Sequence, residues 1–149
     1  PTGSGLWGVQ TGLSFHKTVD PAILFTSFSW RHYLEDGFDD LGSNPEAPPS
    51  PGDVQLGDQY QLSLGIAFAI NERTSFSTSF TQRFIDETKI TRPGFGSQSV
   101  VGSDATTGTF DIGVTYALTE RLSLVTNLGM GLTNDSSDYN FAVKFPYRF

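Results

Sequence analysis

The chain has 149 residues, enough for one domain, with 37% hydrophobic residues, no cysteine and a formal charge of −7. That acidity argues against nucleic acid as a partner. No apolar run approaches the roughly 18 residues that a membrane-crossing helix needs, which excludes that class but leaves open a membrane barrel, where only every second residue faces lipid.

Two-residue alternation runs through the chain, the signature of strands with two unlike faces. Trp7, Val9, Leu13 and Phe15 oppose Gly8, Gln10, Gly12, Ser14 and His16. Leu24, Phe28 and Trp30 oppose Ser27, Ser29 and Arg31, with Ile23 and Phe25 blurring the pattern. Tyr60, Leu62, Leu64, Ile66, Phe68 and Ile70 oppose Gln61, Ser63, Gly65, Ala67 and Ala69. Phe76, Thr78, Phe80 and Phe84 oppose Ser75, Ser77, Ser79, Thr81 and Arg83, and Gln82 breaks the apolar side. Phe110, Ile112, Val114, Tyr116 and Leu118 oppose Asp111, Gly113, Thr115 and Ala117. Leu122, Leu124, Thr126, Leu128, Met130 and Leu132 oppose Ser123, Val125, Asn127, Gly129, Gly131 and Thr133. Last, Tyr139, Phe141, Val143, Phe145, Tyr147 and Phe149 oppose Asn140, Ala142, Lys144, Pro146 and Arg148. The pattern predicts seven strands in an all-β, antiparallel fold.

Connections alternate in length. His16 to Pro21, Asn71 to Thr74 and Thr119 to Arg121 are short; Glu35 to Asp58 and Asp86 to Gly108 are long, and Asn134 to Asp138 falls on the long side. Tight turns on one side and longer loops on the other are what transmembrane β-barrels have. In a soluble sandwich or small barrel the bulky face would be the core. Here the opposite face is Gly, Ser, Ala, Gln and Asn with few charges, which suits a crowded or wet lumen, so the bulky face is expected against lipid. Aromatic residues cluster where interfaces would fall: Trp7, Trp30, Tyr60, Phe84, Phe110 and Tyr139 at one end, Phe15, Phe68, Phe76, Tyr116, Tyr147 and Phe149 at the other. At about 3.3 Å per residue and a tilt of about 40°, Tyr139 to Phe149 spans about 25 Å, the height of an outer-membrane apolar band.

An odd number of strands leaves the first and last parallel, and lipid forbids an open edge. The expectation is therefore that residues 1–149 are the C-terminal portion of one barrel domain, completed by upstream strands or by other chains. The opening Pro1-Thr2-Gly3 carries no basic and apolar leader, so any signal peptide is expected to have been removed or to lie upstream.

The segment Lys17-Thr18-Val19-Asp20-Pro21-Ala22-Ile23-Leu24-Phe25 resembles the Lys-Thr-x-Asp-Pro hairpin of a family of outer-membrane barrels. That family includes the functional-amyloid secretion channel FapF and the phenol meta-pathway (MetA-type) barrel proteins. A tight Ile70-Asn71-Glu72-Arg73 turn, the Tyr116–Leu122 turn and a strand ending in Phe149 follow in the same order. The resemblance implies an up-and-down transmembrane β-barrel of about twelve strands, with upstream strands closing the wall. No segment here corresponds to the amyloid channel's plug or coiled coil.

Candidate functional residues follow from the faces. Arg31, Arg83, Lys144 and Arg148, against Asp111, with Asn127 beside them, would line a mildly cationic pore; the alternative is that they pair with acids on other strands or loops. The stripe Tyr139, Phe141, Val143, Phe145, Tyr147 and Phe149 resembles the C-terminal signal read by the barrel assembly machinery, and serves equally as lipid-facing filler. Glu35, Asp36, Asp39, Asp40, Asp53 and Asp58 make an acidic stretch whose spacing fits no EF-hand, so a solvated loop is expected there. Asn44 to Pro51 should be extended and polyproline-like. His16 faces the polar side and His32 sits on the apolar parity beside Trp30; neither forms a motif with a serine, and no metal-ligand spacing exists.

These features predict a passive channel or secretion pore of the bacterial outer membrane, and not an enzyme. The alternatives are a non-conducting barrel that binds a partner through its loops and, last, a lipid-modifying enzyme. No cofactor and no metal is expected. Expected partners are outer-membrane lipid, the assembly machinery, the strands or chains that complete the wall, and further copies in a homo-oligomer such as a trimer.

Overall fold

The structure, a computed structural model, describes residues 5–42 and 48–149. Among the described residues the regular elements are all strands: β1 (Gly8–Val19), β2 (Ala22–Tyr33), β3 (Asp36–Phe38), β4 (Gly52–Gln55), β5 (Gln59–Asn71), β6 (Thr74–Ile85), β7 (Lys89–Arg92), β8 (Gly96–Ser99), β9 (Ala105–Ala117), β10 (Ser123–Gly131) and β11 (Tyr139–Lys144). The seven long strands are the seven read from the alternation. They form one sheet in the order β1-β2-β5-β6-β9-β10-β11, in which each long strand neighbours the next long strand in the chain. β1 and β11 are its edges. The chain divides into two compact units, Pro1–Thr11 with Trp30–Tyr60 and Phe84–Ala105, and Gly12–Ser29 with Gln61–Arg83 and Thr106–Phe149.

In the second unit the register keeps like residues together. Phe110, Met130 and Tyr139 form one cross-strand row; Ile112, Leu128 and Phe141 form another, and Val114, Thr126 and Val143 a third. The rows between are Asp111, Gly129 and Asn140; Gly113, Asn127 and Ala142; and Thr115, Val125 and Lys144. Because the side-chain period is two, a slip of one residue would put each apolar row beside a polar one. Pairing continues in this register beyond β11: Ser123 donates to the Pro146 carbonyl, Leu122 bridges Tyr147, and Arg148 donates to Arg121. The regular ladder stops after Lys144 because Pro146 has no N–H to return.

Turn chemistry closes the hairpins. Asn71 Oδ1 accepts the Arg73 and Thr74 amides, both at 2.9 Å, so an Asx turn joins β5 to β6. Thr119 Oγ1 accepts the Arg121 and Leu122 amides in the same way between β9 and β10. β1 runs on to Val19, leaving only Asp20 and Pro21, joined by a cis peptide, before β2. The expected connection from His16 was therefore too long: His16, Lys17 and Thr18 pair as strand.

In the first unit the two long connections are not irregular loops. They supply a four-stranded sheet in the order β3-β4-β7-β8. Val54 pairs with Ile90 and Asp53 with Thr91, and Ile90 pairs in turn with Gln98. Phe95 N donates to Arg92 O across Pro93-Gly94, where Gly94 has φ +83°, the signature of a type II turn. The β4–β7 pairing continues the register set by the Asp86 N–H donated to Asp58 O at 2.9 Å. Of the polyproline expectation, Asn44–Ala47 lie outside the described residues; residues 48–51 take no regular element, and Ser50 O receives the Leu41 amide.

Burial is sparse. Among the described residues the only buried ones are Ala22 and five glycines, at positions 52, 57, 108, 113 and 129. At Gly57 an added Cβ would stand 1.7 Å from the Asp86 carbonyl oxygen, so this close backbone approach, next to the Asp86–Asp58 bond, needs a residue without a side chain. Gly57→Ala should therefore destabilise this region by about 1–3 kcal/mol. Faster hydrogen exchange at the Asp86 amide would register it, with the Ala117 amide of the second unit unchanged.

Candidate functional site

The polar face carries its charged groups on short cross-strand hydrogen bonds. In the first unit Arg31 Nε donates to Gln10 Oε1 at 3.0 Å, Nη2 donates to the same oxygen, and Nη1 reaches Tyr33 Oη at 3.3 Å. In the second, Arg83 Nε and Nη2 donate to Gln61 Oε1 at 3.2 and 2.8 Å. Each guanidinium is thus oriented by a neutral amide on the neighbouring strand, and among the described residues no carboxylate pairs with it. Asp111 Oδ1 accepts Asn127 Nδ2 at 3.1 Å, and Ser63 bonds Thr81 at 3.1 Å.

Of the six candidate pore residues, the structure brings together Asp111 and Asn127, on successive polar rows of β9 and β10. Arg83 and Asp111 line one open groove of about 400 Å³, with Thr81, Thr109, Asn140 and the segment 135–137. Lys144 is exposed in the row of Thr115 and Val125, and Arg148 is exposed beyond β11; among the described residues neither makes an ion pair. All six residues of the C-terminal stripe are exposed, and the rings of Tyr147 and Phe149 meet edge to face at 5.3 Å.

Phe25, which blurred the alternation, has a steric explanation. Its ring lies over Gly65, where a Cβ would stand 2.1 Å from a ring carbon. Large and absent side chains thus complement each other on the polar face, as aromatic residues do over sheet glycines. His16 lines a neighbouring groove with Phe15, Leu24, Phe25 and Leu64.

Sequence reasoning missed one cluster. Asp58, taken there as part of a solvated acidic stretch, accepts Trp30 Nε1 at 3.0 Å and contacts His32 Nδ1 at 2.6 Å. The Trp30 and His32 rings are 5.8 Å apart. The signal was present: Trp30 and His32 lie two apart on one strand, and Asp58 has the matching parity where the next long strand begins. Burial works against the Asp58 carboxylate, but hydrogen bonds from His32, Trp30 and Tyr60 and the attraction of His32 outweigh it, holding its pKa below the ordinary 3.8. Three of the other acids in that stretch are used locally. Asp36 accepts the Gly37 amide, Asp40 the Gly42 and Ser50 amides, and Glu35 the Thr91 hydroxyl. Among the described residues no three His, Asp or Glu side chains converge as a metal site.

No family model matches the chain. The arrangement itself offers oriented charges on a polar surface.

A depressed carboxylate pKa contributes stability that is present above the unfolded-state value and lost as pH falls through the folded one. Asp58→Asn should cost about 1 kcal/mol at neutral pH, where a charged acceptor is lost, and the difference from wild type should vanish under strong acid. Urea unfolding followed by Trp30 fluorescence in a Trp7→Phe background measures both.

Proposed function

We propose that the chain forms part of the wall of an outer-membrane β-barrel and serves passive passage of small solutes across that membrane. The observation that carries the reading is an exposed apolar stripe with no sealed core among the described residues. Phe141, Phe145 and Leu64 are 68%, 62% and 47% exposed, and Ile112 is only half-buried. A water-soluble sandwich would have enclosed these four side chains. The accessible surface is 10843 Å² for 16.2 kDa, whereas a folded soluble monomer of this mass exposes about 7,500 Å². Hydrocarbon is the covering that suits a stripe repeated on every long strand.

The polar face supports passage. It is built of small residues, and Arg31 and Arg83 are held by amides, so their fields reach the solvent in front of them. The resemblance of Lys17–Phe25 to the amyloid-secretion and MetA-type barrels points the same way. On this reading the short turns face the periplasm, the stripe ending in Phe149 serves assembly, and strands beyond β1 complete the wall.

One feature favours a second reading, a barrel that binds a surface partner. The sheet made by the long connections carries Phe95 and Val101 at its turns, 77% and 92% exposed. Conductance separates the two readings.

The intact protein in planar bilayers should give steady conductance with a preference for anions, reduced by Arg83→Glu. Closed bilayers or clear cation preference would overturn the channel. Independently, Phe141→Arg should destabilise the lipid-embedded protein by about 2–4 kcal/mol, read by urea titration in vesicles; wild-type stability would count against lipid contact at that stripe.

A further inference from the structure

The segment between β10 and β11 does not project away from the sheet. Thr133 Oγ1 and Ser136 Oγ bond each other at 2.8 Å, and each meets the Gly108 amide at 3.0 Å. Ser136 Oγ donates to Gly108 O at 2.9 Å, and Asp135 Oδ2 accepts the Thr106 amide at 2.8 Å. The Ser137 carbonyl lies over Gly131, within 2.4 Å of where a Cβ would be, so the segment is folded onto the polar face. It forms one wall of the 400 Å³ groove that Arg83 and Asp111 also line.

The groove holds three charges: Asp135, which accepts the Thr106 amide, and Arg83 and Asp111, which are fixed on the sheet and incompletely used. Gln61 takes Arg83 Nε and Nη2, leaving Nη1 free to donate. Asn127 takes Asp111 Oδ1, leaving Oδ2 free to accept. Gly108 lies against Gln82 and Gly113 against Ser77, so Arg83 falls opposite Thr107, four residues along β9 from Asp111. That is about 13 Å of strand, shortened by the reach of the arginine. One cationic and one anionic anchor, separated along a groove, create a field that a dipolar solute can satisfy at both ends. A simple anion would meet Asp111 and Asp135, and a simple cation would meet Arg83.

We propose that this groove is a binding subsite for small extended zwitterions of the ω-amino carboxylate class, with the carboxylate on Arg83 and the ammonium on Asp111. The proposal deepens the channel reading, since it rests on the polar face being wet, but its test does not use conductance. The intact protein in detergent micelles is titrated calorimetrically with 6-aminohexanoate, hexanoate, hexylammonium and sorbitol. Saturable binding of 6-aminohexanoate is expected, with each of the other three at least about ten-fold weaker. Arg83→Gln and Asp111→Asn should each weaken it by about ten-fold or more, as the loss of one charged hydrogen bond dictates. Arg83→Lys, which keeps the charge, should retain most of the affinity and serves if the glutamine variant does not fold. Equal binding of hexanoate, binding of sorbitol alone, or no saturable binding by the folded protein would each overturn the subsite. A protein that conducts without binding loses only this proposal; one that binds without conducting loses only the channel.

Discussion

Antiparallel register is the constraint on which the rest depends. Ile112, Leu128 and Phe141 share a row because β9, β10 and β11 pair without a slip, and Asp111, Gly129 and Asn140 share the next row for the same reason. Each strand alone has a weak preference for its two faces. Paired, the preferences add, since displacing one strand by a residue mismatches every row it touches. The Asx turn at Asn71 and the Thr119 cap fix where two hairpins begin counting, and β11 keeps count through Pro146 although one of its bonds cannot form.

That order creates a surface that does not cover itself. A soluble sheet ends its folding by burying the bulky rows, gaining about 25 cal/mol for each Å² removed from water. Here only an alanine and glycines are buried among the described residues. The glycines are buried by backbone and neighbouring side chains, not by an apolar core. The sheet is therefore held laterally, by ladder bonds and cross-strand pairs, and its apolar rows are left for the surroundings to satisfy. Proposing lipid for those surroundings explains why Gly, Ser, Thr and Gln suffice on the other face: a wall wetted by water needs polar groups and room, not packing.

Much of the long sheet was legible because its cause is local. Alternation in Tyr60–Ile70 or Phe110–Leu118 states both the strand and its faces, and the Asn71 and Thr119 turns carry their own acceptors. What the sequence hid was set by partners far along the chain. β3 and β4 are three and four residues long and gain strand character only by pairing, β3 with β4 and β4 with β7; Lys89–Arg92 followed by Pro93-Gly94 was the one local hint. Asp58 read as solvent-facing because its matching parity with Trp30 and His32 becomes a contact only once β2 and β5 are paired. Arg31 and Arg83 were placed on the polar face by parity, but their tethering to Gln10 and Gln61 needed the strand neighbours.

The tethers bear on how charge can act in such a wall. An arginine paired with a carboxylate loses its distant field and gains a local bond. One held by a glutamine gains orientation and keeps the field, at the cost of a weaker bond. Gln10 and Gln61 therefore do for position what an acid would do only by neutralising. The same logic applies to Asp111 with Asn127. An acid and a cation fixed this way on neighbouring strands remain available to a third party, whereas a direct Arg–Asp pair across β6 and β9 would have satisfied itself. The choice of amides as the holding groups is what keeps the polar face chemically open.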